Sequence, residues 1–197
     1  MGIQQVDRYI PEGSTAFYRA AIVDENGVRI NSSDIDSITL TLYDVASGSV
    51  INSRTEQDVN GANNGTYVSS NAGITGASNA DPIVITSTAH GLDTRDMVNV
   101  SGVLGIPNAN GTFRITKVDA NSFSLDRSAS NGTYASGGTW TYSLFTMELG
   151  ADDNTIVGSG AGADQPELHR ALFTVTYDTS RTITHEVDLY VQQLTKV

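Results

Sequence analysis

Over residues 81–142, short apolar runs alternate with turn residues at a spacing too tight for helices. Pro82 precedes Ile83, Val84 and Ile85, and His90-Gly91 interrupts the run. Met97, Val98 and Val100 resume it, and residues 112–118 and 122–125 flank a turn at Asp119, Ala120 and Asn121. Brief β-branched runs bounded by Gly, Pro, Asn and Asp read as strands, and the last pair reads as a hairpin. The middle third is therefore expected to be a small, barrel-like β module.

The exit from this module is written in side-chain parity. Trp140, Tyr142 and Leu144 share one parity, whereas Phe145, Met147 and Leu149 share the other. Successive strand residues face opposite ways, so the buried face switches at 144/145, through either a β-bulge or a change of sheet. On both sides of the module lie further alternating runs, at 14–23, 38–43, 171–177 and 183–191. Residues 55–80 are rich in Gly, Asn, Ala and Ser and read as a long loop with one short strand at 66–69. Residues 150–166 read as a second loop, with one helical turn near 152–156. The expected fold is all-β: a discontinuous antiparallel β-sandwich, Ig-like or jelly-roll-like, from 14–80 plus 144–197. Residues 81–143 are inserted into it, and 1–13 form an N-terminal arm.

The sequence Asn-Gly-Thr followed by an aromatic occurs three times, ending at Tyr67, Phe113 and Tyr134. Each reads as a turn feeding a strand, and their unequal spacing argues against a regular solenoid.

Charge and composition narrow the function classes. The chain carries 22 acidic and 11 basic residues and a net charge of −11, which disfavours general binding to nucleic acid. Within 81–142 the charges nearly cancel, Asp81, Asp93, Asp96, Asp119 and Asp126 against Arg95, Arg114, Lys117 and Arg127. The flanks therefore hold most of the excess, as two units with different surfaces would. Cysteine is absent, which removes disulfides and thiolate metal sites. No apolar run approaches the roughly 20 residues of a membrane-spanning helix, and residues 1–10 lack a signal-peptide pattern. A soluble protein made in the cytoplasm, without membrane partners, is expected.

No motif announces catalysis. His90, His169 and His185 lack the close spacing of a zinc motif, and no GxSxG elbow occurs. The glycines from Gly158 to Gly162 are not followed by the lysine of a phosphate loop. Asp24-Glu25-Asn26 and Asp152-Asp153-Asn154 lack the ordered spacing of a calcium loop and read as turns. The expectation is a non-enzyme with no metal and no cofactor. Glycan binding would need exposed aromatics, for which Trp140, Tyr142 and Tyr134 are the candidates. Alternation with Thr139 and Thr141 favours burial of Trp140 and Tyr142. Hydrolysis ranks last, since it would need a pair of carboxylates in a cleft.

Several ordered segments of the middle third carry a resemblance. They are Thr88-Ala89-His90-Gly91-Leu92, residues 97–103, Asn110-Gly111-Thr112-Phe113 followed by Val118, Ser122-Phe123-Ser124-Leu125, and Gly137-Gly138-Thr139-Trp140. This set resembles the β module named after the first catalytic-cysteine half-domain of ubiquitin-activating enzymes, as found in tailed-bacteriophage virion proteins. Ubiquitin chemistry is not implied, because there is no cysteine and no adenylation motif. Arg95 stands where the pattern usually has glycine, which implies a strained or reshaped turn if positive φ is needed there.

The flanks resemble the immunoglobulin-like sandwiches of phage structural proteins, including N-terminal domains of upper-baseplate proteins. They do so through Pro11-Glu12-Gly13-Ser14-Thr15, Asp24-Glu25-Asn26-Gly27, residues 38–44 and His185-Glu186-Val187. These resemblances imply a non-enzymatic, multi-copy virion component at the neck, the head–tail connection or the capsid surface. Its implied partners are portal or connector, capsid or tail proteins and further copies of itself. The alternative is a tail, baseplate or host-glycan-binding module.

Overall fold

A computed structural model of the chain describes residues 9–158 and 165–193. Most of the expected arm, and the glycine run from Ser159 to Gly162, lie outside the described residues. Thirteen strands follow in order. They are β1 (Tyr9–Pro11), β2 (Ala16–Ala20), β3 (Ile35–Asp44), β4 (Gln57–Asp58), β5 (Gly65–Gly73), β6 (Gly76–Ala77) and β7 (Val84–Thr86). After them come β8 (Met97–Ser101), β9 (Gly111–Lys117), β10 (Ser122–Leu125), β11 (Thr139–Leu149), β12 (Glu167–Tyr177) and β13 (Arg181–Gln192). Among the described residues, only short 3-10 turns interrupt them, and one, Ala151–Asn154, overlaps the helical turn expected near 152–156. The fold is all-β.

The chain forms two compact units. One holds Met1–Ala20, Ser32–Tyr67 and Phe145–Val197; the other holds Ala21–Asn31 and Val68–Leu144. The second unit thus takes in 68–80 and 21–31, which by sequence belong to the sandwich. Ile74 is the reason for the first addition, because it lies in the same buried cluster as Ile83, Ile85 and Trp140. The second addition is tied by Arg29, which donates to the Ser143 carbonyl at 2.5 Å.

In the first unit, one sheet has the order β1-β13-β12-β3-β4. Its ladders are antiparallel except β1 with β13, which run parallel and bring Tyr9–Pro11 into the sheet. The alternation of β3 buries Ile38, Leu40 and Leu42 and leaves Thr39, Thr41 and Tyr43 half-buried. β12 matches it across the ladder, with Phe173 opposite Leu40 and Ala171 opposite Leu42. The facing layer is β2 with the second half of β11, where Met147 pairs with Tyr18 and Leu149 with Ala16. Tyr18 stacks on Phe173 at 4.9 Å, and Phe145 meets Phe173 edge-on at 5.6 Å, which closes the core between the two layers. This is the β-sandwich that the alternation predicts.

In the second unit the strands run β11-β8-β9-β10-β7-β6. The expected hairpin is β9–β10, with Phe123 opposite Lys117 and Leu125 opposite Ile115. Asp119 shapes its turn by accepting the Asn121 N–H at 2.7 Å, and this bond holds the Asp119 carboxyl below its ordinary range. The barrel-like expectation is corrected here, because the sheets are open. The two-residue β6 ends the order, and β5, which pairs with β11, lies off that path.

The parity switch has a physical origin. β11 pairs with β8 over Thr139–Tyr142 and with β2 over Phe145–Leu149, so the strand changes partner where its buried face changes. Trp140 is buried in the core of the second unit, and Phe145, Met147 and Leu149 are buried in the core of the first.

Candidate functional site

Trp140 is 1% exposed. Its Nε1–H donates to Ser87 Oγ at 2.8 Å, Ser87 in turn donates to the Gly73 carbonyl at 2.9 Å, and Phe123 meets its ring edge-on. The indole is buried and its polar handle is engaged inside the unit, so Trp140 offers no stacking platform to a sugar. Tyr142 is half-buried against the same core. Tyr134 is also half-buried, with its hydroxyl 3.0 Å from the Ile74 carbonyl and 3.1 Å from that of Gly137. The three aromatics belong to one packed module, and its packing accounts for all three.

The histidines are used similarly. His90 is buried; its Nδ1 accepts the Leu92 N–H at 3.0 Å and its Nε2 donates to the Asp119 carbonyl at 2.9 Å. This fixes one neutral tautomer and ties the 90–92 turn to the β9–β10 hairpin. His185 lies near Tyr18, at 5.8 Å between ring centroids, and burial lowers its pKa while Glu186 partly offsets the shift. His169 is fully buried, with Nε2 2.7 Å from Glu167 Oε1. Glu167 also accepts the Val157 and Gly158 N–H groups at 3.0 and 2.7 Å. Asp44, opposite His169 in the β3–β12 ladder, accepts Ser47 N–H and Oγ–H and the Ala46 N–H. Burial pushes the Asp44 carboxyl up, but these hydrogen bonds outweigh it and hold the group below its ordinary range.

Both acidic turns are spent on structure. Asp24 Oδ1 accepts the N–H groups of Asn26 and Val28 at 2.9 and 2.8 Å. Asp153 takes a bidentate ion pair from the buried Arg54 guanidinium, and accepts from Asn52 and the Gly150 N–H as well. Asn154 donates its amide to the carbonyls of Ser14, Leu149 and Gly150. Arg54 was not singled out by sequence, since its partner lies 99 residues away. Among the described residues, no group of three or more His, Asp or Glu is arranged to hold a metal.

What the first unit does leave open is a cavity of about 380 Å³ beside β2. Its walls are Ile10, Ala16, Tyr18, Phe173, Val187 and Leu189, with Phe17 and Tyr9 at the rim. Burial pushes the Tyr18 hydroxyl up to about 12, so it is neutral. Phe17 and Tyr9 are 68% and 62% exposed.

Comparison with known proteins finds a similarity in the middle module. Residues 82–143 match the family model described as the ubiquitin-activating enzyme E1 FCCH domain. No curated protein matches the chain. Among solved structures, the phage phi92 endosialidase is similar at 18% identity and a TM-score of 0.28, over 62% of this chain and 24% of that one. The periplasmic chaperone SfaE is similar at 12% identity and a TM-score of 0.19, over 66% of this chain and 58% of that one. The chain therefore spans about a quarter of the endosialidase chain and somewhat over half of the chaperone.

Proposed function

We propose that this chain is a non-enzymatic structural component of a tailed-phage particle. It is a multi-copy accessory protein at the neck, the head–tail connection or the capsid surface. In this role the sandwich docks on the particle, and the module resembling the E1 FCCH domain projects or bridges to a neighbour. One observation carries the reading: five polar groups suited to chemistry are committed to the fold. His90, Glu167, Asp44, Asp153 and Trp140 each hold a turn, a strand or a ring in place. By contrast, the exposed Phe17 and Tyr9 suit the sandwich to an assembly contact. The module resemblance supports the same assignment, because such modules occur in virion proteins.

Immunogold labelling of purified particles with an antibody against the full chain tests the proposal. Label at one fixed location, at the head–tail junction or over the capsid, is expected. Unlabelled particles alongside labelled free protein would remove it. Host-glycan binding is the weaker reading, because Trp140 is buried.

A further inference from the structure

We infer that β2 is a self-complementary edge at which two copies of this chain pair antiparallel about Tyr18. Among the described residues β2 ends its sheet order and is bonded to β11 on one side only. Its inward row, Ala16, Tyr18 and Ala20, is half-buried, although the β11 residues it pairs with, Leu149, Met147 and Phe145, are fully buried. The cavity lined by Ala16 and Tyr18 lies along this under-covered row. Natural sheets blunt exposed edges with charge, proline or bulges; this edge has a single charge, Arg19, and displays Phe17, one of the most exposed large apolar residues described.

The composition of the strand points to a second copy as the occupant. In β2, Phe17 and Arg19 flank Tyr18 and share the outer face. Arg19 has no ion pair or hydrogen bond among the described residues, even though the chain carries an acidic excess and Glu148 lies diagonally across the ladder on β11. An antiparallel two-fold pairing centred on Tyr18 sets Ala16 against Ala20 of the second copy, and Phe17 against its Arg19. Both unpartnered side chains thereby gain a partner, twice over, as cation–π contacts on the outer face. Two-fold symmetry makes the patch complementary to itself, and the backbone edge of β2 gains a ladder. A shift of the register by two residues breaks both contacts, so chemistry selects the register as well as the partner. The inference uses only the first unit and does not depend on the virion proposal.

Register-specific crosslinking of the full chain tests it, because the protein has no cysteine of its own. Directly opposed residues in an antiparallel pair lie about 4.5–5.5 Å apart at Cα, within disulfide reach. Mixing the single variants Phe17→Cys and Arg19→Cys under oxidation is expected to give a covalent dimer. Either variant alone leaves its thiols two positions out of register and is expected to stay uncrosslinked. In sedimentation, wild type is expected to be dimeric; Phe17→Lys, which opposes Arg19 with a like charge, loses the dimer, and Phe17→Glu retains it through an ion pair. A monomeric wild type, crosslinking by Phe17→Cys alone equal to that of the mixture, or equal loss of dimer in both Phe17 variants would overturn the inference.

Discussion

Arg54 and Asp153 form a bidentate, buried ion pair that ties the segment after β3 to the 3-10 turn after β11. Both side chains are almost wholly removed from water, and the Asn52 amide and Gly150 N–H occupy much of the remaining acceptor capacity of the carboxylate. Removing one member strands the other charge in the interior, which costs more than the pair itself contributes. Asp153→Asn is therefore expected to lose about 3–5 kcal/mol in urea unfolding. The double variant Arg54→Met/Asp153→Leu is expected to lose distinctly less than the sum of the two single changes, a coupling that a double-mutant cycle measures.

Arg95 has φ +86°, a conformation that favours glycine, and its N–H is committed to the Ile115 carbonyl at 2.8 Å. The turn keeps the shape that the glycine-bearing pattern implies, and the arginine carries the strain. Arg95→Gly is expected to raise stability by about 1 kcal/mol, the relief of left-handed strain less the added entropy of an unfolded glycine. A shift of the urea midpoint to higher concentration at unchanged slope is the readout.

The opposite case is Gly132, where an added Cβ would lie 2.0 Å from the Gly105 carbonyl oxygen. Gly132→Ala is expected to cost about 3 kcal/mol, since backbone rather than a movable side chain must give way. Thermal unfolding of the variant checks it, and a change near zero would show that the two loops separate freely.

Trp140 holds the module core through its ring and its N–H together. Trp140→Ala is expected to cost about 3–5 kcal/mol. Ser87→Ala leaves the indole N–H unsatisfied and is expected to cost about 1–3 kcal/mol. Calorimetry of the two variants separates the packing loss from the hydrogen-bond loss.

Besides Asp119, two groups contribute to the acid side of the stability profile. His185 has a folded pKa below its unfolded value of 6.5, so the folded state resists protonation. Its contribution is complete above about pH 6.5 and declines as pH falls through that value. Asp44, depressed below 3.8, contributes stability above that pH and loses it as pH falls toward its folded pKa. His185→Gln is expected to flatten the urea-midpoint profile below about pH 6.5, and Asp44→Asn to flatten it below about pH 4. Unchanged profiles would mean that neither group titrates differently on folding.

The sequence made the strands with clean alternation legible, and the parity change at Leu144/Phe145 located the point where β11 changes partner. Residues 68–80 were harder: the short strand expected at 66–69 lies within β5, but β5 beyond Val68 is built of small and polar residues and gains its place by pairing with β11, with Ile74 as the main apolar anchor of the stretch. Residues 21–31 were illegible for a similar reason, since Arg29 reaches Ser143 across 114 positions. The Arg54–Asp153 pair has no local signature at all. At the candidate site, alternation around Trp140 indicated burial, whereas the open edge of β2 is a property of sheet order that no short window of sequence contains.

Quantitative mass spectrometry of purified, nuclease-treated particles tests the central claim most directly. The account predicts that the full chain remains with the particles in a fixed, multi-copy ratio to the portal or major capsid protein. Its complete recovery in the particle-free lysate would contradict the account.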